Sequence, residues 1–159
     1  MKRGEFISQI GLSSQALLAF YCFGATSCKN SDVEAQPNNV PIKEAGLTGN
    51  AESGSGKIDF SLDLTLPVNA PLKTAGGFVR VGSVLVAQTL KGAYVAVAKF
   101  CTHSAGVLVF QPESDDFWCP VHGSLFNLDG TVKQSPAPVA VKLYKVEINA
   151  DKTRLSVKE

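Results

Sequence analysis

The sequence has little net charge and few histidines. Fifteen Lys and Arg residues oppose fourteen Asp and Glu residues, so the 159-residue chain carries a net charge of +1. Nucleic acids and anionic membrane surfaces attract proteins that carry an excess of positive charge. The balanced charge therefore argues against both, and no nucleic-acid partner is expected. Only two histidines and four cysteines are present, which limits any metal site to a small set of ligands.

The N-terminal segment lacks an unbroken apolar run of about 20 residues, the length that a membrane-spanning helix needs. Lys2 and Arg3 precede an apolar stretch over residues 16–23, which small residues and then Cys28 follow. This order is typical of a secretory signal peptide, and small residues before a cysteine resemble the lipobox of bacterial lipoproteins. We expect residues 1–28 to direct export to the periplasm, with lipidation at Cys28. A retained N-terminal anchor is the alternative.

Residues 29–57 have no apolar periodicity. They are rich in Asn, Ser, Pro and Gly, and residues 49–56 have the composition of a flexible Gly/Ser linker. We predict a flexible linker over 29–57. It is either a disordered tail or a tether that joins a lipid anchor to the following domain.

Helical periodicity is missing after residue 57. Apolar residues alternate with polar ones from Ile58 to Leu66, which predicts a half-buried strand. Further apolar runs are bounded by Gly, Pro and Asp turns. The sequence therefore predicts an all-β domain over 58–159, with about ten short strands in stacked sheets. The expected strands cover residues 58–66, 78–81, 84–88, 93–100, 107–110, 116–118, 125–127, 139–148 and 154–157.

Both histidines and two of the cysteines fall in two short motifs. Cys101-Thr102-His103 reads C-x-H and, after fifteen residues, Cys119-Pro120-Val121-His122 reads C-x-x-H. Cys thiolates and neutral imidazoles bind soft or borderline metal ions. Two ligands on each of two loops predict a site with four ligands, which are Cys101, His103, Cys119 and His122.

The paired motifs, with Gly123 after the second, resemble those of the Rieske iron–sulfur family. The resemblance implies a [2Fe–2S] cluster in which the two cysteines bind one iron and the two histidines bind the other. It implies three stacked antiparallel sheets, with the cluster in loops 101–106 and 119–126 at the tip of a small subdomain. It also implies that residues 134–138, with Pro136, form a proline loop that covers the cluster. A simple loop is the alternative there.

Three positions depart from the high-potential members of that family. Gly106 and Val121 stand where those members carry two cysteines joined in a disulfide. Phe126 replaces a tyrosine that donates to a ligand sulfur. Ser124 matches a serine that donates to a sulfide, although a plain turn residue is equally consistent with the sequence. The resemblance is thus to a single-domain, ferredoxin-like member, and we expect an intermediate reduction potential because donors to sulfur stabilise the reduced state.

The resemblance implies one-electron transfer with a redox partner protein and no substrate site of its own. A Rieske oxygenase would need two further histidines and a carboxylate at a second iron, which this sequence cannot supply. The contexts left open are an exported carrier, the iron–sulfur subunit of a quinol-oxidising cytochrome complex, and a subunit of a larger oxidoreductase.

Two alternatives need no iron–sulfur cluster. One is a structural zinc module, although such sites usually pair Cys with Cys and His with His. The other is a disulfide between Cys101 and Cys119, which would leave both histidines unexplained.

Overall fold

A computed structural model describes residues 46–159. This part of the chain contains eleven strands and two short 3₁₀ helices, at Ser53–Ser55 and Pro67–Lys73. The strands are β1 (Leu47–Asn50), β2 (Asp59–Asp63), β3 (Phe78–Val81), β4 (Val84–Gln88), β5 (Tyr94–Ala98), β6 (Val109–Gln111), β7 (Asp116–Trp118), β8 (Leu125–Phe126), β9 (Val132–Gln134), β10 (Leu143–Ile148) and β11 (Arg154–Lys158).

Seven of the strands form one antiparallel sheet in the order β1-β2-β11-β10-β5-β4-β3. Strand β10 joins two smaller sheets within it. Leu143 and Tyr144 pair with β5, whereas the four residues that follow pair with β11. The remaining strands form a second antiparallel sheet in the order β6-β7-β8-β9. This sheet lies between β5 and β10 in sequence, as expected for a small inserted subdomain.

The β4–β5 hairpin lies between two hydrophobic cores. Val84 and Val86 of β4 point into a core shared with β2, β3 and β11. Leu85 and Ala87 point to the opposite side, into a core that also contains Phe110 and both motif cysteines. Because successive side chains on a strand face opposite sides, both faces of β4 are buried. The unbroken apolar sequence of this strand follows from that position.

The all-β prediction is confirmed, and most strands lie where the sequence placed them. Strand β9 was missed because its three residues lie between a turn and a proline segment and show no alternation. The 3₁₀ helix over Pro67–Lys73 was also missed. The sequence predicts only that the strand over 58–66 ends before Pro67, although proline suits the first turn of a helix, and Asn69 and Leu72 are buried there.

The predicted linker extends too far towards the C-terminus. Leu47–Asn50 forms β1, which pairs with β2, and Ala51 is buried. Gly49 adopts φ of +109°, and a Cβ atom placed on it would lie 2.9 Å from the Phe60 Cα atom. The glycine that suggested flexibility thus allows two strands to approach closely.

The signal peptide, Cys28 and the linker up to residue 45 lie outside the described residues. Within residues 46–159, no helix is long and apolar enough to cross a membrane.

Candidate metal centre

The first predicted ligand loop lies between Phe100 and Val107, which pair in an isolated antiparallel bridge. The backbone N–H of Cys101 donates to the Gly106 carbonyl at 2.8 Å. The N–H of Ala105 donates back to the Cys101 carbonyl at 3.0 Å. These two hydrogen bonds close the loop over six residues.

The second ligand loop closes in the same pattern. The Cys119 N–H donates to the Ser124 carbonyl and the Gly123 N–H to the Cys119 carbonyl, both at 2.9 Å. In each loop the fifth residue has a positive φ, +55° at Ala105 and +79° at Gly123. The two loops therefore present their ligands from matching backbone turns, although the histidine is the third residue of one and the fourth of the other.

The four predicted ligands separate into buried thiols and exposed imidazoles. Cys101 and Cys119 are 3% and 1% exposed, and both are free thiols rather than a disulfide. His103 and His122 are exposed, and their rings meet edge to face with centroids 4.7 Å apart. Their Nδ1 atoms lie 3.2 Å apart. The Ser104 hydroxyl oxygen is also 3.2 Å from the His122 Nδ1 atom.

The imidazole pair fits two ligands of one tetrahedral metal ion. Metal–nitrogen bonds of about 2.0–2.1 Å at a tetrahedral angle place two nitrogens roughly 3.4 Å apart, close to the 3.2 Å found here. Within residues 46–159, no three His, Cys, Asp or Glu side chains lie close enough to hold a single ion. Two imidazoles and two thiols would be the donor set for a two-iron cluster with mixed ligation, and the residues present fit that set.

Comparison with known families supports this fit. The sequence model of the Rieske [2Fe-2S] domain family matches residues 69–145, which include both ligand loops. Residues 69–145 form a Rieske [2Fe–2S] domain. Domains of this family bind a [2Fe–2S] cluster, so the predicted cofactor is confirmed.

Relatives of the Rieske domain include iron–sulfur subunits of cytochrome b6-f complexes. The subunit from Gloeobacter violaceus is 24% identical over 93% of this chain and 84% of its own length. The subunit from Chlorobaculum tepidum is 33% identical, but over only 42% of this chain and 36% of its own length. The chain therefore spans about a third of that relative.

Among solved structures, the plasma membrane Rieske protein PetC3 of Synechocystis PCC 6803 is similar. It shares 27% identity with this chain and has a TM-score of 0.42. The similar region covers 48% of this chain and 76% of the PetC3 chain.

Residues 134–139 contact both ligand loops of the Rieske domain. The Ala137 N–H donates to the buried Ser124 hydroxyl oxygen at 3.0 Å, which leaves that hydroxyl hydrogen free to donate elsewhere. The Gln134 side-chain amide donates to the Gly123 carbonyl at 3.0 Å. The Thr102 hydroxyl donates to the Val139 carbonyl at 2.7 Å. Pro136 lies within this segment and is exposed.

Sequence reasoning gave no role to Thr102 or Gln134. Thr102 lies inside the C-x-H motif, and Gln134 begins the predicted proline loop. Only their positions beside recognised motifs could have suggested a role, because many Thr and Gln side chains form hydrogen bonds with backbone carbonyls.

The positions that hold a disulfide in other Rieske proteins face each other here. A Cβ atom placed on Gly106 would lie 2.6 Å from the Val121 Cγ2 atom and 2.9 Å from the Cys119 Sγ atom. Because Cβ atoms essentially never approach other atoms so closely, this position is suited to glycine. The two loops therefore meet through van der Waals contact between Gly106 and Val121.

Phe126 is fully buried in the core that contains both motif cysteines. It packs in the same core as Phe110 and Phe117, whose rings lie 5.4 Å apart. The ring fills space beside the ligand loops and offers no donor.

Charged residues are absent from the loops themselves. Residues 100–111, 117–128 and 134–141 contain no Asp, Glu, Lys or Arg. In the small sheet that carries the second loop, Asp116 of β7 pairs with Lys133 of β9 at 2.6 Å. Arg80 of β3 donates through Nε and Nη2 to the Leu108 carbonyl, and burial lowers the pKa of this guanidinium. Arg80 thus links the large sheet to the segment that follows the first loop.

Proposed function

We propose that this chain transfers one electron at a time through a [2Fe–2S] cluster held by Cys101, Cys119, His103 and His122. The observation that carries the proposal is the pair of exposed imidazoles whose Nδ1 atoms lie 3.2 Å apart. When bound, the cluster accepts and releases a single electron, and two neutral imidazole ligands make it easier to reduce than four thiolates would.

The surrounding residues support this role by dividing the site into a buried side and an exposed side. The cysteine side is packed in the core with Phe110 and Phe126, which excludes water from the sulfurs. The histidine side is open, so a redox partner can approach the imidazole edges closely. The Ser124 hydroxyl is placed in the second loop, where its free hydrogen can stabilise negative charge on a sulfur.

The proposal is tested by analysis of the purified full chain for iron and acid-labile sulfide, together with electron paramagnetic resonance after reduction by dithionite. Two irons and two sulfides per chain, with a rhombic signal in the reduced state, are expected. The variants His103→Ala and His122→Ala should each lose the signal, because each removes a ligand of the same iron. Stoichiometric zinc and no signal on reduction would establish the structural zinc module instead.

The location of the protein is a separate part of the proposal. The apolar segment over residues 16–23 and the small residues before Cys28 support an exported, periplasmic redox protein that is tethered to the membrane as a lipoprotein. Its partners are redox proteins. Labelling with a fatty-acid analogue in a bacterial host tests the anchor. Wild-type protein should be labelled and found in membranes, and Cys28→Ala should be unlabelled. Equal labelling of both would rule out lipidation at Cys28.

A second candidate function is the iron–sulfur subunit of a quinol-oxidising cytochrome complex. The alignment with the Gloeobacter violaceus cytochrome b6-f subunit over 93% of this chain favours it. Purification of the tagged chain from membranes in mild detergent tests this function. Stoichiometric b-type haem in the preparation would support it, and a chain that purifies without haem would favour the independent carrier.

A further inference from the structure

The segment over residues 134–139, here called the strap, connects the two ligand loops. It contacts the second loop twice, through Gln134 to the Gly123 carbonyl and through the Ala137 N–H to Ser124. It contacts the first loop once, through the Val139 carbonyl, which accepts from Thr102. All three are hydrogen bonds of 2.7–3.0 Å. The strap thus bridges two loops that are separate in sequence.

The loops themselves have little else to hold them together. Their backbone hydrogen bonds close each loop on itself and do not cross between them. No disulfide joins positions 106 and 121, where Gly106 lies against Val121 and the Cys119 Sγ atom in van der Waals contact. The side-chain contacts of the imidazoles and Ser104 cross between the loops, but these groups lie at the exposed surface. The strap therefore supplies a connection that the loop backbones lack.

Gln134 is the strap residue whose side chain contacts the second loop next to His122. It pairs with Leu125 in the small sheet, yet its side chain turns back to the residue that follows His122. The Gln134 Nε2 atom lies 4.0 Å from the position that a Cβ atom on Gly123 would occupy, an ordinary van der Waals distance, so the amide approaches Gly123 without crowding. Gly123 is held on its other side by its N–H bond to the Cys119 carbonyl. Gly123, the residue after His122, is thereby held at both its N–H and its carbonyl.

We propose that Gln134 is a positioning residue for His122, and that the strap holds the two ligand loops together by hydrogen bonds where other family members use a covalent crosslink. The proposal rests on the proposed function, because the ligand role of His122 gives the position of Gly123 its importance. Gln134 acts through the backbone and does not touch the cluster.

The test compares Gln134→Leu, which removes the donor at similar size, with Thr102→Val, which removes the contact to the first loop. Gln134→Glu is the second variant at the same position, since a carboxylate cannot donate to a carbonyl. The matched control is Gln111→Leu in β6 of the same small sheet. Within residues 46–159, its side chain makes no hydrogen bond, so the same change is made without loss of a contact.

The measurements on the cluster-loaded full chain are the rate of iron release to a chelator and the g-values of the reduced signal. Loss of one exposed hydrogen bond should accelerate release about two- to tenfold and shift the g-values, because His122 binds the iron less rigidly. The effects of Gln134→Leu and Thr102→Val on the rate of iron release should be non-additive in the double variant, because each substitution frees the same strap. Melting temperatures should match that of the control.

A third measurement separates this proposal from the proposed function. Amide hydrogen exchange of the cluster-free chain should become faster in residues 119–124 for Gln134→Leu and Gln134→Glu, and remain unchanged for Gln111→Leu. Wild-type protein without iron and sulfide would overturn the proposed function alone, since the exchange result stands without the cluster. Release, g-values and exchange that match the control would overturn the role of Gln134, even if the cluster is present.

Discussion

Ala105 is under backbone strain in the first ligand loop. It adopts φ of +55°, whereas the matching residue of the second loop is Gly123. A residue with a Cβ atom in this backbone region destabilises the folded chain by roughly 1–2 kcal/mol. Glycine avoids this penalty, but its greater conformational freedom in the unfolded chain offsets part of the gain in stability. Strain of this kind is often found at functional sites.

Ala105→Gly should therefore raise the free energy of unfolding by about 0.5–1 kcal/mol. Chemical denaturation of the cluster-free chain measures the effect. The control is Ala70→Gly, at an exposed position without positive φ, which should destabilise the protein by about 0.5–1 kcal/mol. A loss of stability in both variants would show that Ala105 is not strained.

Side chains that share a core with the buried sulfurs are expected to influence the reduction potential. Phe126 offers no donor, and its ring lies in the core with both cysteines. Phe126→Tyr should raise the potential, because a hydroxyl directed at a sulfur favours the more negative reduced state. Protein-film voltammetry gives the value.

Two related variants check the cause of that shift. Ser124→Ala should lower the potential, since it removes the hydroxyl that the Ala137 N–H orients. Phe126→Leu adds no donor and should change the potential much less than Phe126→Tyr does. A shift of equal size in Phe126→Leu would indicate packing rather than hydrogen bonding as the cause.

At the scale of elements, the two ligand loops meet at Gly106 and Val121. The Cβ position on Gly106 lies 3.3 Å from the Val121 Cβ atom, close to the separation of about 3.5–4.5 Å found in disulfides. The nearby Cys119 Sγ atom, at 2.9 Å, would have to move by a few tenths of an ångström. The loops are therefore placed for a crosslink that this sequence does not encode.

The double variant Gly106→Cys/Val121→Cys should form that disulfide under oxidising conditions. Closure of a loop of about 15 residues is expected to stabilise the protein by up to about 3 kcal/mol and to slow the release of iron. Mass spectrometry with and without reductant detects the bond, and Val121→Cys alone is the control. Two free thiols after oxidation would mean that the loops lie further apart than the structure shows.

At the scale of the whole molecule, residues 46–159 contain two hydrophobic cores, one on each side of the β4–β5 hairpin. Only one of them contains the cysteines. A cluster that binds the folded state stabilises it by mass action. Its direct effect should be concentrated in the part of the molecule that supplies the ligands.

Removal of the cluster should therefore increase amide exchange in β6–β9 and in both ligand loops. Strands β2, β3 and β11, which pack on the other core, should keep most of their protection. Exchange measured by mass spectrometry on loaded and cluster-free protein checks this. An equal loss of protection in both cores would show that the fold depends on the cluster as a single unit.

The sequence alone predicted those features that depend only on short segments of the chain. The Cys and His spacing indicated the ligands, and alternation of apolar residues located most strands, because side-chain period and ligand type are properties of short segments. Glycine and proline were harder to interpret. Gly49 suggested a linker and belongs to a strand, and Pro67 suggested a break and begins a 3₁₀ helix.

Tertiary structure decided which distant residues meet. The sequence determined two motifs, an all-β domain and the type of cofactor. It could not show that Gln134 reaches Gly123, that Thr102 reaches Val139, or that Gly106 faces Val121. Such contacts depend on how β8, β9 and the strap pack over the loops, and packing is set by the whole chain rather than by any local pattern. The predicted ligands can be recognised in the sequence, whereas the contacts that support their loops form only when the chain folds.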